Sequence, residues 1–390
     1  MENVGVYVHV PFCDRVCPYC DFAVVATRVL ASEREGLYVD ALLAELEERR
    51  SAFAGRRLAS LYLGGGTPSL LTPASVARLV EAIRASFPAA AAEPEVTLEM
   101  NPGTLERERL PGFREAGVSR VSIGVQSFSD ATLKRLGRAH AGDEARASLA
   151  AARAAGFANL SVDLILAAPG QGPAEFAADL EEALAFAPEH LSTYELTIEP
   201  GTPFALAAAR GQLRRADEDA VLDMLDACEA RLTAAGYRRY EISNYAKPGF
   251  EAVHNRRYWL RRPVLGLGVG AFSTDPPRVG MPHGVRRANP RDLAEYERAA
   301  ARGAFDAAAD VEVLTPQIAR GEAVFLGLRA ADGVDAARFA GEFGEPPRGF
   351  WPDAIDACRR EQLLDETAAG DLKLTAAGRR LADTVFRYFV

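Results

Sequence analysis

From residue 4 to about residue 200, short β-rich runs alternate with longer helical ones. Strands are predicted at Val4–Val10, Leu58–Leu63, Glu95–Met100, Arg120–Gln126, Leu160–Leu166 and Leu191–Ile198, where β-branched and aliphatic residues gather between turn formers. Helices are predicted near 33–50, 73–86, 104–116, 142–155 and 173–187. Several end at a glycine, such as Gly117 and Gly156, a residue that readily takes the left-handed conformation that stops a helix. β/α units in series require parallel strands joined by right-handed crossovers. The pattern therefore predicts an α/β fold, a partial, open six-stranded (β/α)6 barrel. Ligand sites in such folds collect at the carboxyl ends of the strands.

A further helix from Asp217 to Ala235 closes at Gly236. Residues 1–236 are read as the barrel, 237–312 as an extension and connection, and 313–390 as a small winged-helix-like domain. In the last of these, helical patterns at 317–330, 352–363 and 376–388 surround the short strand Asp371–Leu374. Such domains often bind DNA, but this one has no basic face and reads as a packing or interaction module. A length of 390 residues, more than one core usually holds, agrees with a large unit plus a small one.

Charge narrows the class. A net charge of -9 with no long basic stripe argues against a general nucleic-acid binder. No apolar run approaches the roughly 20 residues of a membrane span. Met1–Val4 enters a strand directly, without the regions of a signal peptide, so the expected location is cytoplasmic.

The chemistry gathers at strand ends. Strand one runs into Cys13, Cys17 and Cys20, spaced C-x3-C-x2-C on a short loop stiffened by Pro11 and Pro18. Three thiolates are one short of a closed tetrahedral zinc site, whereas a [4Fe–4S] cluster held by three protein sulfurs keeps one open iron. A disulfide with a spare thiol, or zinc with a distant fourth ligand, are the alternatives. Strand two ends in Gly64-Gly65-Gly66-Thr67-Pro68, whose glycines let the backbone approach a ligand and expose amide donors, or simply make a tight turn. Glu99 and Gln126 end strands three and four, and Asp163 lies on strand five. Cys228 shares a helix face with Val221, Leu225 and Leu232 and reads as buried.

The cysteine spacing, Tyr19 before the third cysteine, and Tyr7-x-His9-x-Pro11-Phe12 ahead of the first resemble the radical S-adenosylmethionine (SAM) proteins. Within them, the match is to the branch holding oxygen-independent coproporphyrinogen III dehydrogenases and their heme-chaperone relatives. The resemblance implies a [4Fe–4S] cluster on Cys13, Cys17 and Cys20, with SAM at its open iron. It assigns SAM contacts to Gly65, Gly66, Thr67, Glu99, Gln126, Arg138 and Asp163, with Tyr7 and Tyr19 packed nearby. The segment Tyr240–Ala246 followed by His254-Asn255-Arg256-Arg257-Tyr258-Trp259 resembles the heme-chaperone type. By that resemblance His254 is the expected axial heme ligand, with neighbouring arginines for the propionates and Tyr258 and Trp259 as flat apolar surface.

Departures refine the reading. Phe22 stands where the dehydrogenase type has a further cysteine, and the chain lacks that type's N-terminal extension. Both lean toward heme handling. Phe272 stands where a histidine is usual, and Ala167-Ala168 where Gly-Leu is usual. The expected function is a heme chaperone whose partners are heme, acceptor hemoproteins, some of them reached by peripheral contact with membranes, and an electron donor. The runner-up is oxidative decarboxylation of coproporphyrinogen III, and a zinc-stabilised interaction protein is a third class.

Overall fold

The protein was analysed as a computed structural model describing residues 3–90 and 93–390. Met1 and Glu2, at the head of the predicted first strand, lie outside the described residues. The parallel strands are β1 (Asn3–Val10), β2 (Arg57–Gly65), β3 (Glu95–Met100), β4 (Arg120–Gln126), β5 (Leu160–Leu166) and β6 (His190–Glu195). They neighbour one another in chain order, each pair parallel. The helices Ser32–Arg49, Pro73–Ser86, Thr104–Glu115, Gly142–Ala154 and Pro173–Ala185 join them. This is the α/β arrangement of parallel strands and crossover helices that the alternation predicted.

Two sets of side chains explain why these segments become strands. One face of each carries Val and Leu: Val4, Val6, Val8 and Val10 on β1, Val96 and Leu98 on β3, Val121, Ile123 and Val125 on β4, all buried. These pack under helix faces with i, i+3, i+4 spacing, such as Val76, Leu79, Val80 and Ile83. Full burial of one such aliphatic side chain contributes about 1.5–3 kcal/mol. The other face is polar: Tyr62 on β2, Glu99 on β3, Arg120 and Ser122 on β4, Asp163 on β5, Ser192 and Tyr194 on β6. Because the sheet curls, these residues from five strands line one cavity.

The sheet does not stop at six strands. Among the described residues it has twelve. Beyond β6 lie β7 (Arg238–Arg239) and β8 (Asn244–Ala246), antiparallel to what precedes them. On the far side, β9 (Val264–Leu267) runs parallel to β1, and β10 (Phe272–Asp275), β11 (Val285–Ala288) and β12 (Asp310–Val313) follow antiparallel. Residues 276–312, read from sequence as a connection, thus supply β11, most of β12 and the helix Leu293–Arg302. Their strands are short, and they pair with neighbours that local periodicity does not reveal. The predicted Leu191–Ile198 strand ends at Glu195, before the Pro200-Gly201 turn.

The C-terminal part has its own apolar core, built around Val324, Phe339, Ile355, Leu372 and Phe389. Helices Pro316–Arg329, Ala336–Phe343 and Pro352–Arg360 surround the hairpin Leu364–Glu366 with Leu372–Leu374. The predicted 376–388 helix breaks at Leu381 into Ala376–Arg380 and Ala382–Phe386.

Candidate cofactor site at the barrel mouth

The cysteine loop leaves β1 and folds back over the carboxyl ends of the strands. A short parallel pair, Phe12–Cys13 with Val25–Ala26, closes it. The glycine loop is stitched beneath it, Gly66 N donating to Val10 O at 2.8 Å and Thr67 N to Phe12 O at 2.8 Å. The sequence permits this approach only with glycine. A Cβ on Gly66 would stand 2.8 Å from the carbonyl oxygens of Phe12 and Val10, and one on Gly65, at φ 106°, would stand 2.5 Å from the His9 ring.

Cys13, Cys17 and Cys20 all border the cavity, of about 520 Å³, and none is in a disulfide. Among the described residues no three His, Cys, Asp or Glu side chains are gathered tightly enough to hold a single metal ion. The thiols instead ring the cavity mouth, and in a cluster each thiolate takes a different iron. Burial pushes the Cys13 thiol up to about 11 and also raises Cys20, so these two thiols stay protonated when bare and cluster assembly must release their protons. Two donors already face the sulfurs: Thr67 Oγ1 lies 3.5 Å from Cys13 Sγ and Arg138 Nη1 lies 3.4 Å from Cys17 Sγ. Asn101 ties them together, donating to Thr67 Oγ1 at 2.8 Å and accepting from Arg138 Nη2 at 2.5 Å.

Glu99 hangs below the glycines and accepts from Gly65 N at 3.0 Å and Tyr62 OH at 2.6 Å. Burial pushes its carboxyl up to about 7, against the pull of those hydrogen bonds. Asp163 accepts from Ser122 at 3.0 Å and Ser192 at 2.6 Å, and burial raises it above the usual carboxylate range despite these donors. Gln126 ends β4 with a left-handed backbone, φ 66°, and its Oε1 is buried without a hydrogen-bond partner. An acceptor-rich, partly unsatisfied cavity with a glycine cradle fits an amino- and hydroxyl-bearing ligand such as SAM.

Of the residues singled out in the sequence, Cys13, Cys17, Cys20, Tyr19, Gly65, Gly66, Glu99, Gln126, Arg138 and Asp163 meet in this cavity. Thr67 and Tyr7 stand just outside its lining: Thr67 is buried against Cys13, and the Tyr7 hydroxyl lies 3.0 Å from His9 Nδ1 with its ring stacked on Tyr62. Phe22, in place of the fourth cysteine, lines the mouth and is 62% exposed. Phe272 is 60% exposed on the rim of the sheet.

His254 is placed differently from the expectation of an accessible ligand. It sits on the helix Val253–Trp259, 1% exposed, with Nδ1 2.9 Å from Ser60 Oγ and Nε2 3.1 Å from Tyr258 OH. Burial, then the charge of Arg257, lowers it to about 3, so the imidazole is neutral. The neighbouring arginines are largely engaged too. Arg257 is buried and bonds Pro263 O at 2.9 Å, and Arg261 pairs with Glu342 at 2.8 Å. In this conformation both ring nitrogens are taken.

Sequence reasoning assigned no cavity role to Tyr62, Asn101, Arg120, Ser122, Ser192 and Tyr194, and read Asn255 only as part of the heme-type segment; all of them line the cavity. The signal was present on β4 as polar or small residues at alternate positions, Arg120-x-Ser122-x-Gly124-x-Gln126, between Val121, Ile123 and Val125.

Comparison with known proteins agrees with this geometry. Residues 7–183 match the radical SAM superfamily and residues 314–381 match the HemN C-terminal domain. The chain is 41% identical over 284 residues to the heme chaperone HemW of Escherichia coli, covering 73% of this chain and 72% of that protein. It is 32% identical over 384 residues to the heme chaperone HemW of Bacillus subtilis, covering 98% of each. The solved structure of the E. coli radical SAM enzyme coproporphyrinogen III oxidase, HemN, superposes with a TM-score of 0.82 at 26% identity, over 100% of this chain and 90% of that one. With a glycine-cradled three-cysteine cavity at the strand ends and such relatives along its length, the chain belongs to the HemW family of radical SAM proteins, whose cofactors are a [4Fe–4S] cluster and SAM.

Proposed function

We propose that this chain is a heme chaperone: it binds heme and passes it to acceptor hemoproteins, with a [4Fe–4S] cluster on Cys13, Cys17 and Cys20 and SAM at the open iron. The observation that carries the reading is the end-to-end correspondence with HemW relatives, combined with Phe22 at the cavity mouth where a decarboxylating relative has a thiol. When bound, cluster and SAM supply one-electron chemistry driven by an external electron donor. The chain's own residues hold and orient. Arg138 offsets thiolate charge at Cys17, Gly65 and Gly66 let the backbone come close to the ligand, and Glu99 and Gln126 present acceptors to the amino and sugar groups of SAM. Among the described residues no helix is long and apolar enough to cross a membrane. We place the protein in the cytoplasm, touching membrane hemoproteins only from outside the bilayer.

The raised Glu99 carboxyl gives this assignment a pH signature. Below about 7 Glu99 takes up a proton in the SAM-free protein, and a neutral acid accepts less well from an ammonium or hydroxyl. SAM affinity is therefore expected to be highest above that pH and to fall by up to about tenfold per unit below it. Glu99→Gln should lower affinity at pH 8 and flatten the profile. Equal wild-type affinities at pH 6 and pH 8 would remove Glu99 from the site.

Heme ligation by His254 requires that Nε2 leave the Tyr258 hydroxyl and that the Val253–Trp259 helix shift outward. The neutral ring is suited to coordinate iron once exposed. In anaerobically reconstituted protein, His254→Ala is expected to weaken heme binding while iron and sulfide content stay unchanged. Undiminished heme affinity rejects this ligand. The likeness to HemN favours one second reading, coproporphyrinogen III decarboxylation. Incubation of the same sample with SAM, reductant and coproporphyrinogen decides, since formation of protoporphyrinogen would overturn the chaperone assignment.

A further inference from the structure

Arg120 opens β4 and points into the barrel interior, where it lines the cavity on the side away from the cysteines. It is 2% exposed. Its Nε has no hydrogen-bond partner, and its guanidinium forms no ion pair or hydrogen bond with any described residue. Other arginines of the interior are anchored, Arg138 by Asn101 and Gly124, Arg49 by Asp275. A buried guanidinium with its donors unused costs several kcal/mol unless something completes it.

The neighbours do not complete it. Asp163 is the nearest cavity-lining carboxylate along β5, and its oxygens already accept from Ser122, Ser161 and Ser192. Burial works against the charge of Arg120, but the fields of Glu95 on β3 and of Asp163 keep it protonated, and neither carboxylate bonds it. Tyr194 and Asn255 line the same cavity. A fixed cation in a cavity that a phenol and an amide also line is a receptor for a planar acid group.

We propose that Arg120 anchors an acid subsite on the inner side of the cavity, which takes a carboxylate of a second ligand bound alongside SAM. The class of ligand is a propionate-type carboxylic acid on a larger body. Under the heme reading above, on which this identification of the body rests, it is a heme propionate. The carboxylate of SAM is the rival source.

The test uses reconstituted full-length protein and three probes. Sodium propionate, titrated at constant chloride and read by thermal shift, is expected to stabilise the wild type saturably. Arg120→Gln should raise the half-saturating concentration about 10- to 100-fold, the range of one lost charge-assisted hydrogen-bond set. Arg120→Lys, which keeps the charge, should recover part of the effect and guards against a folding defect in the glutamine variant. Pre-saturation with SAM should leave the propionate response intact. Finally, heme should bind the wild type at least about tenfold more tightly than heme dimethyl ester, with the preference lost in Arg120→Gln. The subsite is overturned if propionate has no saturable effect, if Arg120→Gln responds like wild type, or if SAM abolishes the response, which would assign Arg120 to SAM itself. A wild type that responds to propionate but binds no heme leaves the subsite standing and removes the heme reading. One that binds heme and its diester equally does the reverse.

Discussion

Cys20→Ala is expected to yield a folded protein that cannot retain a [4Fe–4S] cluster: iron and sulfide content should fall to near background, and SAM binding that depends on the open iron should go with it. Cys17 and Cys20 are half-buried on a loop whose ends are fixed independently of any metal, by the Phe12–Cys13 pairing with Val25–Ala26 and by Phe204 N donating to Pro18 O at 2.9 Å. Removing one thiol therefore deletes a ligand without a buried partner being orphaned. The fold should survive, with a Tm change of no more than a few degrees for a loss near 1 kcal/mol. Cys228→Ala is the control. That thiol is buried on the helix Glu218–Ala234 and is not part of the cavity lining, so its loss costs packing while the cluster remains. Full cluster content in Cys20→Ala would show that the three cysteines do not form the site.

The second large effect is expected from Gly66→Ala. The new methyl group would press on two main-chain carbonyls, Val10 at the end of β1 and Phe12 at the start of the cysteine loop, and neither can rotate away as a side chain could. Overpacking against fixed atoms typically costs about 1–3 kcal/mol. Here the strain is relieved by lifting the Gly65–Thr67 turn off β1, which breaks the 2.8 Å bonds to Val10 O and Phe12 O and displaces Cys13. SAM affinity should drop by about 10- to 100-fold, the equivalent of that strain at the cradle. Gly65→Ala should act differently, driving the His9 ring from its bonds to Tyr7 and to Ala23 O. Gly36→Ala, on the helix Ser32–Arg49 with nothing near its would-be Cβ, should be neutral or stabilising by up to about 1 kcal/mol. Wild-type SAM affinity in Gly66→Ala would detach the glycine turn from ligand binding.

Much of the site was legible because its parts are local. Three cysteines within eight residues converge whatever surrounds them, and the GGGTP turn carries its conformational requirement in its own composition. Strands β3, β4 and β5 have the bounds that alternation predicted, since one face of each is uniformly aliphatic. Arg120 was passed over because a charged residue at the head of a strand reads as a solvated end. Only the curl of the sheet turns that end inward.

His254 shows the same limit from the other side. Its motif pointed to heme, but whether an imidazole is offered or withheld depends on Ser60, which is 194 positions earlier in the chain, and on Tyr258 one turn later. The sequence by itself determined the strand and helix alternation, the three-cysteine loop and the glycine turn, because each follows from backbone preference or from spacing over a few residues. The tertiary structure alone decided that residues 238–313 extend the sheet at both edges, that His254 faces inward, and that Arg120 is left without a partner. Those outcomes depend on which side chains distant segments bring into contact, and hydrogen bonding inside a curled sheet is settled by neighbours in space.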